Sequence, residues 1–424
     1  MKKIDAEVNG KNACESPTGV SGINAAECKD AKGALPPHGG DIYGALAAGG
    51  PEPLDFSANI SPLGLPEGVR RSLAEQADGF TRYPDPHCRK LRATLSERHG
   101  MPKELIVCGA GSADLIFRAA RTLRPKRVLV TAPAFSEYER AAEEAGAAVS
   151  HYPLASPGFA ITEAMCEAVT GMDLVFLCNP NNPTGLLTPR DTIIKILHAC
   201  GKAGAILIVD ECFMDLTDEP EAFTAEPLLA SHENLMILKA FTKTYAMAGL
   251  RLGYALCGSA SIAERIAGAG PPWSVSAPAQ TAGISALKEA AYLKALREII
   301  KKERGRLKEG LAALGAEVLG GSANYVFFRV GAPSAAGRGT SLAEAGRGAS
   351  LAEAGRGTSF AAALTARGIL IRDCSNFKGL EDGTYFRAAV RLPEENDAFL
   401  QAVKKEIRAS GQQKKKFKTI FEQI

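Results

Sequence analysis

Short apolar runs recur through the middle of the chain, at Arg127–Thr131, Leu174–Cys178, Ala205–Asp210, Leu235–Ala240 and Leu252–Cys257. Runs this short, with almost no polar alternation, predict strands buried on both faces. Leu105–Cys108 reads as a further β-like run and follows a helical pattern over Pro86–His99. Amphipathic stretches at Glu137–Ala145 and Asp191–Ala203 lie between several of the runs. Buried strands alternating with such helices predict an α/β layer fold with a mostly parallel sheet. A long helix, roughly Ala277–Leu314, then leads out, and its Glu/Lys/Arg-rich second half predicts one solvated face. A smaller α+β region containing the strand Tyr325–Val330 comes after it.

The pattern fails in three places. Residues 1–36 are polar, rich in Gly, Ala and Lys, and without period, which predicts a disordered extension. A nonapeptide repeats at Gly337, Gly346 and Gly355 (GRGTSLAEA, GRGASLAEA, GRGTSFAAA). Ala, Gly and Ser cannot build a core, so the tract reads as a duplicated surface loop leading into a helix at 359–366, without a catalytic role. The tail from Ser410, with Lys414-Lys415-Lys416 and a weak apolar stripe, reads as solvated. The organisation expected is an extension (1–36), an arm (37–66), a large domain (67–295), a small domain (296–408, with the insert at 333–358) and a basic tail (409–424).

Charge narrows the partners little: 50 basic against 47 acidic residues leave +3, too little to predict nucleic-acid or membrane binding. No apolar run approaches bilayer length, and the first residues lack the apolar core of a secretory signal. The ten cysteines have no CxxC spacing and several sit in apolar runs, so reduced, buried thiols are expected, with no metal site. Together these features predict a cytoplasmic protein.

Four segments in fixed order carry the chemistry: Cys178-Asn-Pro-Asn-Asn-Pro-Thr-Gly185, Val209-Asp210-Glu211, Thr242-Lys243-Thr244 and Gly249-Leu-Arg251-Leu-Gly253. Singly they are a turn, a helix cap or a meaningless dipeptide. Four together, each beside a predicted strand, are hard to explain so. In order and spacing they resemble fold-type I pyridoxal 5′-phosphate (PLP) enzymes of the histidinol-phosphate aminotransferase branch, over about residues 37–408.

The resemblance implies a large domain with a mostly parallel sheet flanked by helices, a smaller C-terminal α+β domain, and PLP as cofactor. It implies that Lys243 joins the cofactor through its amine and carries protons at the substrate's Cα, and that Asp210 holds the proton of the pyridine nitrogen. Asn182 would reach the ring hydroxyl O3′ and Phe135 would stack on the ring. Gly111, Ser112 and Ala113, at the start of a predicted helix, would offer N–H groups to the phosphate, completed by Thr242 and Arg251. The branch usually has a serine where this chain has Ala240. Tyr83 matches a tyrosine that reaches the partner subunit's cofactor, which implies a homodimer.

Five features lean toward the threonine-phosphate decarboxylase family: His38-Gly39-Gly40-Asp41; Asp55 to Gly64 with a substrate-contacting Asn59; Pro272-Trp273-Ser-Val-Ser276; Phe213 in place of a tyrosine; and Arg372-Asp-Cys374 with Tyr385 to Arg391. Three of them depart in part from the family pattern, with Asp41 and Ser61 where Asn is usual and Ser276 in place of a further Asn. Arg372 and Arg387 fit anion clamps, with His38, Gly39, Asn59 and Asn182 beside them, whereas Arg391 reads as a surface ion pair. The implied reaction is decarboxylation of O-phospho-L-threonine, a small anionic substrate, to (R)-1-amino-2-propanol O-2-phosphate in cobalamin biosynthesis. The alternatives are a histidinol-phosphate or related aminotransferase, and a non-catalytic regulatory module. The last needs an attached DNA-binding domain, for which residues 1–36 are too short and too polar.

Overall fold

The computed structural model describes residues 38–47, 51–154, 158–330 and 356–406. Its strands are, in chain order, β1 (Leu54–Asp55), β2 (Ile106–Gly109), β3 (Arg127–Ala132), β4 (Ala148–Pro153), β5 (Leu174–Cys178), β6 (Ile206–Asp210), β7 (Leu235–Ala240), β8 (Gly253–Cys257), β9 (Glu317–Gly320), β10 (Tyr325–Arg329), β11 (Ile369–Leu370), β12 (Arg372–Asp373) and β13 (Tyr385–Ala389).

Seven strands form one sheet in the order β2-β8-β7-β6-β5-β3-β4. Only β8 runs against its neighbours, and the remaining pairs are parallel. Six strands therefore end at the same edge, the edge where ligands bind in sheets of this kind. Alternate residues divide between two cores. Val175, Leu177, Leu207, Val209, Leu235 and Ile237 face one way; Leu174, Phe176, Ile208, Met236 and Leu238 face the other. Helices cover both faces, which is why β5 and β8 are buried at every position. Each Leu, Ile or Val sealed in this way contributes about 1.5–3 kcal/mol.

A second, antiparallel sheet has the order β12-β13-β10-β9. Val326, Phe328 and Phe386 pack there against Leu307 and Leu311. The arm strand β1 joins β11 in a parallel pair, which ties residues 54–55 to the C-terminal region.

The structure corrects the expected elements in three places. Strand β4 was not expected; it is an edge strand paired with β3 alone, and its residues are only partly buried. The helix expected over 277–314 is two helices, Ala277–Ala286 and Ala290–Ala313. No Gly or Pro marks the break. The first half buries Ala279, Ala282, Gly283 and Ala286 against the helix Glu67–Glu75, whereas the second buries Leu293, Ile300 and Leu311 elsewhere. Packing against different partners turns the corner. The helix expected from Pro86 begins at Arg89, because the Asp85 carboxylate accepts from the backbone N–H groups of His87 and Arg89 (3.0 and 2.7 Å) and caps the turn.

The expected extension, tail and most of the nonapeptide tract lie outside the described residues; the last repeat enters the helix Arg356–Thr365. All eight described cysteines are free, and Cys14 and Cys28 lie outside the described residues. Among the described residues no cluster of His, Cys, Asp or Glu could hold a metal, and no helix is long and apolar enough to cross a membrane.

Candidate active site

A cavity of about 200 Å³ opens at the common edge of the parallel strands. Asp210, the last residue of β6, reaches it and is 6% exposed. Its Oδ1 accepts from the Cys212 backbone N–H (3.0 Å), and its Oδ2 accepts from the Tyr138 hydroxyl (2.6 Å). Tyr138 stacks on Phe176 at 4.9 Å and meets the edge of Phe135 at 5.6 Å. Burial, then the charge of Asp210, pushes the phenol well above its ordinary range, so it stays a donor. None of the ion pairs among the described residues includes Asp210. A buried carboxylate served only by neutral donors lacks the cation that ordinarily offsets its desolvation.

Close backbone approach builds the next part. Gly111 has φ +92°, and a Cβ there would come within 2.6 Å of Arg251 Nη2. A Cβ on Gly253 would meet the Ser112 amide at 2.6 Å. Glycine at both positions therefore lets the start of the helix Ser112–Leu123, the strand β8 and the Arg251 guanidinium converge. First-turn amides have no partner within their helix, so this junction is a site for an anion. Arg118 secures it from behind, pairing with Asp114 and donating to Ser274 Oγ at 2.8 Å.

Two lysines four positions apart have opposite surroundings. Lys239 lies on the far face of the sheet, within 3.0 Å of Glu211 and 2.7 Å of Glu226. Burial alone would lower its pKa, but Glu211, Asp215 and Glu226 hold it well above the ordinary lysine value. Lys243, in the helical turn Phe241–Thr244 after β7, lines the cavity. Burial, with the positive charges of Arg387 and Arg251, lowers its amine to about 8. Among the described residues that amine has no ion pair or hydrogen bond. Of the two, Lys243 is the one whose amine is held below the ordinary lysine value, which leaves a minor neutral fraction near neutral pH.

The opposite wall comes from the arm and the second sheet. Arg372 on β12 pairs directly with Arg387 on β13, and directly opposed residues share a face of the sheet. Arg387 donates to Asn182 Oδ1 and to the Ser57 carbonyl (2.7 Å), while its buried Nε has no partner. Arg372 donates to Asn376 Oδ1 (2.7 Å) and lies over the Phe377 ring. Burial lowers both guanidinium groups and Arg372 is further lowered by Arg387, to about 10; it stays cationic at neutral pH. Asn59 is 1% exposed, and among the described residues neither side-chain polar atom has a partner. His38 Nε2 lies 2.9 Å from Glu137 Oε1. Gly39 rests on the Ser57 carbonyl so closely that any Cβ would collide with it. Phe213 lies edge-on to Tyr325 at 5.1 Å.

Of the sequence-predicted residues, His38, Gly39, Asn59, Ser112, Phe135, Asn182, Asp210, Lys243, Arg372 and Arg387 line this one cavity. Gly111, Ala113, Thr242 and Arg251 lie beside Ser112 or Lys243 without lining it. Tyr83 stands apart, 81% exposed and 4.7 Å from Trp273. Arg391 pairs with Glu395, as expected. Tyr138 has no signal of its own in the sequence, because the partner of its hydroxyl is 72 residues away.

The family described as aminotransferase class I and II matches residues 51–403. The chain is 34% identical over 373 residues to a threonine-phosphate decarboxylase of Salmonella typhimurium, covering 87% of this chain and 95% of the relative. It is 30% identical to histidinol-phosphate aminotransferase 2 of Ralstonia nicotianae, covering 82% and 87%. The histidinol-phosphate aminotransferase of Clostridium acetobutylicum superposes with a TM-score of 0.74 at 28% identity, covering 84% of this chain and 99% of that one.

Proposed function

Because the chain belongs to the aminotransferase class I and II family and has pyridoxal 5′-phosphate as its cofactor, we propose that it decarboxylates O-phospho-L-threonine to (R)-1-amino-2-propanol O-2-phosphate. The residues fit the cofactor. Asp210 is a buried carboxylate paired with no cation among the described residues, the Gly111–Ala113 cradle with Arg251 suits a dianion, and Lys243 presents an amine with no ion pair or hydrogen bond among the described residues. Asp210 would take the ring N–H; the cradle, Arg251 and Thr242 the phosphate; Asn182 the ring hydroxyl; Phe135 the ring face; and Lys243 the covalent link. When bound, the cofactor supplies an electron sink for charge developing at the substrate's Cα.

The single observation that carries the substrate class is the pair of buried guanidinium groups opposed on β12 and β13. Two such cations suit a substrate with two anionic ends, and Arg offers each a planar fork of donors. We assign Arg387 and Arg372 to the carboxylate and phosphate ends, with His38, Gly39 and Asn59 completing the wall. Gripping both ends fixes which bond at Cα is presented for cleavage. The bond from Cα to the carboxylate breaks, carbon dioxide leaves, and Lys243 Nζ delivers a proton to Cα in its place. The hydrogen bond from Arg387 to Asn182 links the substrate clamp to the cofactor's hydroxyl partner, so that the two are held in one register. Tyr83, exposed in a single chain, is assigned to the cofactor phosphate of a second copy, in a homodimer.

The 34% identity to a decarboxylase supports this reading. A second reading, amino transfer from histidinol phosphate, is favoured by the 30% relative and by the superposed structure. Phe213, which lines the cavity without a hydroxyl, supports the first. The test is to give purified enzyme O-phospho-L-threonine without a keto acid. Carbon dioxide and the amino-alcohol phosphate are expected; turnover only with histidinol phosphate and 2-oxoglutarate overturns the assignment.

A further inference from the structure

Asp210 has been given one role, yet the groups around it are more elaborate than that role requires. Tyr138 Oη lies 2.6 Å from Asp210 Oδ2 and the Cys212 backbone N–H lies 3.0 Å from Oδ1. The tyrosine is 1% exposed and its ring is fixed on two sides, stacked on Phe176 at an interplanar angle of 10° and edge-on to Phe135 at 81°. The neighbouring thiols of Cys178 and Cys212 are pushed up by burial, then by Asp210, so they stay neutral. The carboxylate is thus the one anion in its immediate surroundings, and it is met by donors that do not titrate.

Hydrogen bonds to a carboxylate favour its charged form. In a shared proton between Asp210 and the ring nitrogen, every donor to the carboxylate moves the proton toward nitrogen. We propose that Tyr138 is a positioning residue that acts through Asp210: its hydroxyl keeps the carboxylate oriented and anionic, so that the proton stays on the ring nitrogen. The inference rests on the reading of Asp210 as the partner of that nitrogen. Removing the hydroxyl leaves Asp210 with Cys212 alone, withdraws a donor that favours its charged form and frees it to rotate. The shared proton then shifts toward the carboxylate, and the electron sink weakens although no group touching the cofactor has changed.

The test uses holoenzyme loaded with PLP labelled with ¹⁵N in the ring. In Tyr138→Phe the ring-nitrogen resonance should move from the protonated toward the neutral pyridine position. The rate kcat should fall about 10- to 100-fold, the worth of one charge-assisted hydrogen bond, with KM for O-phospho-L-threonine nearly unchanged. Asp210→Asn separates the two claims. If it moves the resonance and Tyr138→Phe does not, the role of Tyr138 is wrong and that of Asp210 stands. If neither variant moves it, the reading of Asp210 falls and takes this inference with it. Tyr138→Phe loses one oxygen and keeps both ring contacts. Should it nevertheless fail to fold, Tyr138→His supplies another donor: a resonance near the wild-type position supports the role, and one at the neutral position overturns it.

Discussion

The two walls of the cavity are finished to different degrees. At Asp210 both carboxylate oxygens are bonded by the chain itself, through Tyr138 and Cys212. Across the cavity, among the described residues, Asn59 leaves both side-chain polar atoms without a partner and Arg387 leaves its Nε. Each unpaired buried group costs about 1–3 kcal/mol, and the two opposed guanidinium groups repel each other besides. A wall completed in advance suits a partner of fixed chemistry that remains bound. A wall with unused donors and acceptors suits a molecule that arrives, reacts and leaves, since only that molecule completes it. Under the proposed function, the difference separates a cofactor side from a substrate side.

Lys243 lies between the walls, and its loss should have the largest effect. Lys243→Ala alters neither wall, so the chain should still fold and bind O-phospho-L-threonine. Turnover should fall more than ~10³-fold, because proton transfer alone contributes about 10²–10⁴-fold. The cofactor's lysine-linked absorbance should vanish in the same variant. Single-turnover assays and absorbance spectra check both, and retained activity would overturn the mechanism.

Arg387→Met breaks the open wall and also removes the hydrogen bond to Asn182. Two charge-assisted bonds at about 1.5–3 kcal/mol each predict a loss of about 10²–10⁴-fold in kcat/KM. The absorbance of bound cofactor should persist, because Asp210, the cradle and the Lys243 amine all remain in place. Burial and Arg387 both lower the Lys243 amine, so removing this cation should raise its pKa above about 8. The pH at which cofactor binding becomes fast should rise accordingly, since binding needs the neutral amine. A downward movement would contradict the electrostatic account.

The same division marks what was legible in the sequence. The cofactor side is built from short motifs at the ends of consecutive strands, so strands such as Leu174–Cys178 and Leu235–Ala240 and the segments around Asp210, Lys243 and Arg251 were read together. Each motif lies within a few residues of the strand that positions it. Tyr138 escaped because nothing local tells a buried tyrosine where its hydroxyl points. The open wall gathers residues near 38, 59, 182, 372 and 387, which only the folded chain brings together; their identities came from resemblance and not from any period. The break at 287–289 and the edge strand β4 escaped for a related reason, since both are decided by what packs against them and not by Gly, Pro or apolar spacing.

The smallest effect is also the most pointed, because its sign differs from that of an ordinary buried polar mutation. Asn59→Ala removes two polar atoms that have no partner, and the space opened joins the existing cavity instead of leaving a sealed void. The backbone carbonyl of Asn59, which accepts from Asn324 Nδ2 at 2.9 Å, remains in place. The ligand-free variant should therefore be as stable as the parent or gain about 1–2 kcal/mol toward denaturant, the range set by unsatisfied groups of this type. Substrate should bind several-fold more weakly, because a neutral hydrogen bond contributes about 0.5–1.5 kcal/mol. Removing the Tyr138 hydroxyl across the cavity should do the reverse to stability, since it strips a partner from a buried carboxylate. If Asn59→Ala instead destabilises the protein by more than about 1 kcal/mol, its side chain is satisfied after all, and the contrast between a finished and an unfinished wall has no physical basis.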